Sequence, residues 1–224
     1  MEYLIQHLYM IPVIVSAILS LKSFRGRWPR AYQLFSLMLC AICCIEAVAI
    51  TWSIYLVHLP GWPWGSSNLW LYNLFLIPQY LLYMRVYYLE SRSNRIKRII
   101  LVSACVFTAF AIFNMGWLQG FNNIDSYTLT LASAIVIFMT VTWFNQLLHD
   151  KVIHRLGRHP LVWISAGAFI FHATDLPFML SLNYLVRHNV SLAVLLFYVF
   201  DGLNFLMYTL YTIAFLCQPP PQRS

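Results

Sequence analysis

Between Arg30 and His58 the chain reads AYQLFSLMLCAICCIEAVAITWSIYLV, residues 31–57, a long apolar run whose single formal charge is Glu46. A helix needs roughly 20 such residues to cross the hydrocarbon core of a bilayer. Six more stretches of this kind occur, at 3–21, 68–89, 99–117, 127–148, 160–183 and 191–216. The whole chain has the same character: of its 224 residues 61% are hydrophobic and only 9% are charged, where a soluble domain carries roughly 25% charged residues. With a mean hydropathy of +0.69, soluble and disordered classes are excluded. The reading is an all-α membrane protein, a seven-transmembrane helix bundle forming one domain over residues 1–217, with 218–224 as a short tail. The loops are too short to fold by themselves. Any binding, gating or catalysis therefore belongs inside the bundle, at its mouths or on a partner.

Basic residues orient such a bundle, because cytoplasmic loops retain Lys and Arg. The first loop carries Lys22, Arg25, Arg27 and Arg30; the third carries Arg92, Arg95, Lys97 and Arg98; the fifth carries Lys151, Arg155 and Arg158. Arg85 and Arg223 fall on the same side, which leaves Arg187 alone opposite them. The amino terminus is thus expected outside and the carboxyl terminus in the cytoplasm. Tryptophan gathers at the two membrane interfaces. Trp52, Trp62, Trp64, Trp70 and Trp117 fall at the outer boundary of this map, and Trp28, Trp143 and Trp163 at the inner one. The first span has no basic segment before it and reads as a retained anchor. The net charge of +7 lies in short juxtamembrane clusters that attract anionic headgroups, so nucleic acid is not an expected partner. None of the five cysteines sits in an outer loop, and no disulfide is expected. The sequon Asn189-Val190-Ser191 abuts the membrane and is expected to go unused.

Several seven-span chemistries fail on the residues. Covalent retinal needs a buried lysine in the last span, whereas Lys22, Lys97 and Lys151 all lie in loops. Zinc hydrolases related to ceramidases need several buried histidines, and His172 is the only deep one. No metal or other cofactor is expected. Pro78-Gln79 occurs once, without the second copy that PQ-loop transporters carry. The stretch Asn68–Tyr83, NLWLYNLFLIPQYLLY, and the stretch Pro160–Ser165, PLVWIS, resemble small seven-span membrane proteins of bacteria, some of which accompany sensor histidine kinases. The resemblance covers two short stretches and implies a sensory role in a bacterial inner membrane.

An ionisable residue inside a span costs roughly 2.5–3.5 kcal/mol on insertion scales and so asks for a reason. Glu46, His172, Asp175 and Asp201 are such residues, and Gln79 joins them. At 1.5 Å per residue they share a layer about 12–16 Å from the outer ends of four spans. Asp201, Asn204, Tyr208 and Tyr211 recur at helical spacing, as do Asn73, Tyr80, Tyr83 and Tyr87. Glu46, Gln79, Tyr80, Tyr83, His172, Asp175, Asp201, Asn204 and Tyr208 are accordingly the candidate residues for a small ligand, cation or proton. Two plainer readings stand beside this one: polar residues also simply link membrane helices, and tyrosines pack. On the cytoplasmic face Arg92, Arg95, His149, His154, Arg155 and Arg158 are candidates for contact with headgroups or a partner protein.

No nucleophile–base pair and no cofactor fingerprint appears, so an enzyme is not expected. The first reading is a receptor-like sensor that signals through a cytoplasmic or membrane partner. The second is a small ion- or proton-coupled transporter or channel using the same belt; the absence of internal repeats favours the first. The charge bias makes a direct prediction. A topology reporter fused after Ser224 is expected to be active only in the cytoplasm, and one at Gly65 only outside. The reverse pattern defeats the orientation.

Overall fold

The computed structural model describes residues 8–25, 28–56, 67–149 and 156–218. Among them the secondary structure is helical, with no strand. Helix α1 spans Met10–Ser20 and a single turn, α2, spans Lys22–Arg25. The longer helices are α3 (Arg30–Thr51), α4 (Leu69–Glu90), α5 (Asn94–Phe113), α6 (Ser126–Leu148), α7 (Pro160–His188) and α8 (Val190–Leu216). Two of them end in π-helical turns, Trp52–Leu56 after α3 and Asn114–Leu118 after α5.

Five helical segments are long and apolar enough to cross a membrane: Arg30–Tyr55, Asn94–Leu118, Ser126–Leu148, Pro160–His188 and Val190–Leu216. This is the make-up of a multi-pass membrane protein. Helix α4 has the length, 22 residues, but falls short in hydropathy because Asn73, Gln79, Arg85 and a run of tyrosines dilute it. Its Asn73, Tyr80, Tyr83 and Tyr87 are all buried, so that dilution comes from an inward-facing polar stripe. The start of the first expected span, the loop with Trp62 and Trp64, most of the fifth loop and the tail lie outside the described residues.

Two expected loops are helical instead. Residues 184–188 continue α7 to His188, and Asn189 alone separates α7 from α8. The third loop shrinks to Ser91–Ser93, so Arg95, Lys97 and Arg98 ride the first turns of α5. Hydropathy loses a helix where it emerges from lipid, because charged residues are at home there; the backbone hydrogen bonds continue regardless. At the α7–α8 joint the Asn189 side chain accepts the Leu192 N–H at 3.1 Å, capping α8. Pro160 begins α7, where its missing N–H costs nothing.

Successive long helices pack against one another, and α8 returns to pack on α1. The helices α1 and α3 to α8 thus form a closed ring among the described residues. The Trp28 end of the ring is filled by large rings. Phe35 meets Tyr83, Tyr211 and Phe215 at centroid distances of 5.9, 5.0 and 6.2 Å, and Trp28 lies 5.7 Å from Phe215. Tyr32, Phe35, Tyr211 and Phe215 are fully enclosed. Outward faces are apolar and bare, as at Val102 and Val106 on α5 and Leu195 and Val199 on α8. That suits lipid contact, where no hydrophobic gain comes from hiding them.

Helices α7 and α8 approach closely at Gly167. A Cβ there would lie 3.2 Å from the Met207 carbonyl oxygen and 3.2 Å from the Tyr211 ring, whereas one at Gly202 would meet nothing. Gly167→Ala is therefore expected to destabilise by about 1–3 kcal/mol, read as a lowered Tm in detergent. Gly202→Ala, exposed within α8, is expected to be neutral or mildly stabilising. Equal effects would contradict this packing.

Candidate functional site

The ring is hollow at the end opposite Trp28. A cavity of about 390 Å³ lies there, walled by α3, α4, α6, α7, α8 and the residues just before α6. Of the candidates read from the sequence, Glu46, Gln79, Tyr80, Tyr83, His172, Asp175, Asn204 and Tyr208 all line it. Asp201 does not. It is half-buried and lies within electrostatic reach of Tyr9, ahead of α1, at the side where α8 meets α1. Asp125 takes its place as the third carboxylate of the wall, and among the described residues no lysine or arginine lines the cavity.

Each lining carboxylate is held by donors from another part of the chain. Glu46 on α3 accepts from Tyr9 at 3.0 Å and from Tyr72 on α4 at 2.9 Å. Asp175 on α7 accepts from Ser133 on α6 at 2.6 Å. Asp125, just before α6, accepts from the Asn114 amide, which the π-helical turn after α5 carries into the bundle. The second Asp125 oxygen, Oδ2, is buried without a hydrogen-bond donor. Burial pushes the Asp125 carboxyl above its usual range, and the polar groups of Thr128 and Asn114 beside it pull the other way.

The i,i+3 spacing of His172 and Asp175 on α7 allows them to touch directly. They meet through Ser133 instead, whose hydroxyl lies 3.0 Å from His172 Nδ1. A hydroxyl has one hydrogen. With that hydrogen given to Asp175, His172 must donate from Nδ1, which leaves Nε2 with the lone pair. When Nε2 takes up a second proton, the Nδ1 proton can pass through Ser133 to Asp175; both bonds then reverse and His172 is left neutral with its hydrogen on Nε2. The three groups thus form a chain along which one proton can shift. Tyr80, Tyr83 and Phe171 hold the imidazole edge-on, with centroids 5.8, 6.2 and 5.2 Å away.

The cavity ends at Tyr83 and Tyr208. Just below, the Tyr83 and Tyr211 hydroxyls bond to each other, and Tyr87 meets Ser165 at 3.0 Å. From there toward Trp28 the described interior holds the enclosed rings of Tyr211, Phe35, Phe215 and Tyr32. At the other end, Asn73 donates to the carbonyls of Phe121 and Asn123 at 2.8 and 2.9 Å, tying the α5–α6 connection over the cavity.

The surface candidates lie apart from this site. The Arg92 N–H donates to Gln146 at 3.0 Å while its side chain is exposed, as are Arg95, His149 and Arg158. His154 and Arg155 lie outside the described residues. Sequence reasoning missed Tyr9, Tyr72, Asn114, Asp125 and Ser133. Ser133 had a signal, since seven residues into α6 is about 10 Å of depth, close to that of Asp175. Asp125 read as a loop residue at the boundary, and nothing in the sequence aims it inward.

The fold and site together define a multi-pass helical membrane protein with an acidic, tyrosine-walled internal cavity. The chain matches no protein-family model, no curated protein and no solved structure.

Ser133→Ala removes the hydroxyl on which both Asp175 and His172 depend. It is expected to cost about 1–3 kcal/mol. Tyr9→Phe leaves Glu46 with Tyr72 and is expected to cost nearer ~0.6 kcal/mol. Thermal unfolding of the two variants in one detergent tests the order, and the reverse ranking would contradict the arrangement.

Proposed function

We propose that this chain is a receptor-like sensor of seven spans, amino terminus outside, seated in a bacterial inner membrane. Its cavity opens outward and receives a small ligand, cation or proton. Its basic inner ends engage a cytoplasmic or membrane partner. One observation carries the reading: the cavity occupies one half of the bundle and stops at Tyr83 and Tyr208, with enclosed aromatic rings filling the other half. A ligand held there can alter helix packing without passing through. The Tyr83–Tyr211 contact joins the cavity floor to the packed half, so a shift of α4 against α8 is the natural way for occupancy to reach the inner face. Under this orientation Trp52 and Trp70, with rings 5.3 Å apart, mark the outer interface.

The second reading, a small ion- or proton-coupled transporter or channel, draws on the Asp175–Ser133–His172 chain, which can pass a proton. Reconstitution separates the two. A sensor is expected to leave liposomes tight to protons and small cations, and to co-purify a partner whose capture weakens when Arg92 and Arg95 become Gln. Proton or cation flux abolished by Asp175→Asn, with no partner found, would replace the first reading by the second.

A further inference from the structure

The chemistry of the cavity narrows what it holds, on the reading that it is a ligand site. Glu46, Asp125 and Asp175 lie on different walls. Asp125 and Ser133, the donor to Asp175, are eight residues apart along α6, about 12 Å of helix rise. No group of three or more His, Cys, Asp or Glu that could hold a metal ion occurs among the described residues. Calcium takes six to eight oxygens around one point and magnesium a near-ideal octahedron. Carboxylates dispersed on separate walls suit neither.

They suit a cation with a body. Between the carboxylates the wall is aromatic and apolar: Tyr72, Phe75, Tyr80, Phe171, Phe197 and Met179. Faces of aromatic rings attract an ammonium group, and the hydrocarbon behind it gains from their apolar surface. The volume of about 390 Å³ accepts a molecule of this kind and is far larger than a bare ion needs. Asp125 adds a more specific requirement. It is 1% exposed, it faces the cavity, and its Oδ2 lacks a donor. A buried acceptor without a donor is costly, and more so when charged. Oδ2 is itself closed to solvent, so the side chain must turn a little for a ligand N–H to fill that vacancy; a quaternary ammonium, which has no N–H, cannot fill it. Among the described residues no lysine or arginine lines the cavity, so none of them supplies the balancing positive charge.

We infer that the cavity binds a small organic amine, whose protonated nitrogen donates to Asp125 and whose carbon body lies against the tyrosine and phenylalanine walls.

The test is calorimetric titration of the full chain in lipid nanodiscs with 2-phenylethylamine, 1,4-diaminobutane, tetramethylammonium, potassium and calcium. At least one of the two N–H amines is expected to bind saturably at one per chain, and tetramethylammonium at least tenfold more weakly. Asp125→Asn keeps an acceptor for Asn114 and is expected to weaken the amine at least tenfold at unchanged helicity. Should that variant fail to fold, Met179→Trp, which fills the cavity, is expected to abolish binding. The inference is overturned if neither amine binds saturably, if tetramethylammonium binds as well as the amines, if calcium or potassium alone binds, or if the folded variants bind as the wild type does. Failure of the sensor reading shows elsewhere, as flux through liposomes or the lack of a partner. An amine-binding protein that conducts would keep this inference and lose that reading.

Discussion

A carboxylate inside an apolar bundle must find its hydrogen-bond donors on other helices, because lipid offers none. In this chain that requirement runs through the whole arrangement. Glu46 draws Tyr9 and Tyr72 together and so joins the first helix to α3 and α4. Asp175 needs Ser133, which joins α7 to α6. Asp125 needs Asn114, which joins the start of α6 to the end of α5. Each bond contributes little alone, about 0.6 kcal/mol on average in membrane proteins. Their weight lies in exclusion: a ring closed in a different order would strand at least one of these acids.

The same acids divide the interior into two regimes. Where they face inward the helices stand apart and a cavity remains. Where they are absent, aromatic rings meet edge to face and fill the space, with Phe35 touching residues of both α4 and α8. The boundary is drawn by tyrosines, whose rings belong to the packed side and whose hydroxyls belong to the polar one. Tyr83 serves both: it lines the cavity, packs on Phe35 and bonds Tyr211.

Much of this was legible in the residues. The apolar runs locate the helices, and the spacing of Asn73, Tyr80, Tyr83 and Tyr87 identifies the buried face of α4, because 3.6 residues per turn leaves little freedom. Depth counted along each span places Glu46, Gln79, His172 and Asp175 in one layer, and they do share a cavity. Phase about the helix axis is less well determined for a lone residue. Asp201 is at the right depth but is not among the residues that line the cavity; it lies within electrostatic reach of Tyr9. Helix ends were also blurred. Charged side chains at the surface stop a hydropathy run without stopping a helix, as at the start of α5 and the end of α7. Donors such as Tyr9 and Ser133 carry no charge to draw attention; only the three-dimensional neighbourhood reveals them.

The joint at Asn189 bears on how the chain enters its membrane. Helices α7 and α8 have 29 and 27 residues, each about 40 Å long, and a single residue joins them. No slack exists for one helix to settle while the other waits in water. For a chain inserted from the side of its Trp28 end, the pair must go in as a preformed hairpin, carrying Arg187 and His188 through the lipid at its tip. An arginine at mid-bilayer costs about 2.5–3.5 kcal/mol, and each Leu, Ile, Phe or Val returns about 0.3–0.6. Apolar residues on α8, among them Leu195, Leu196, Phe197 and Val199, would offset that cost for a chain inserted in this direction.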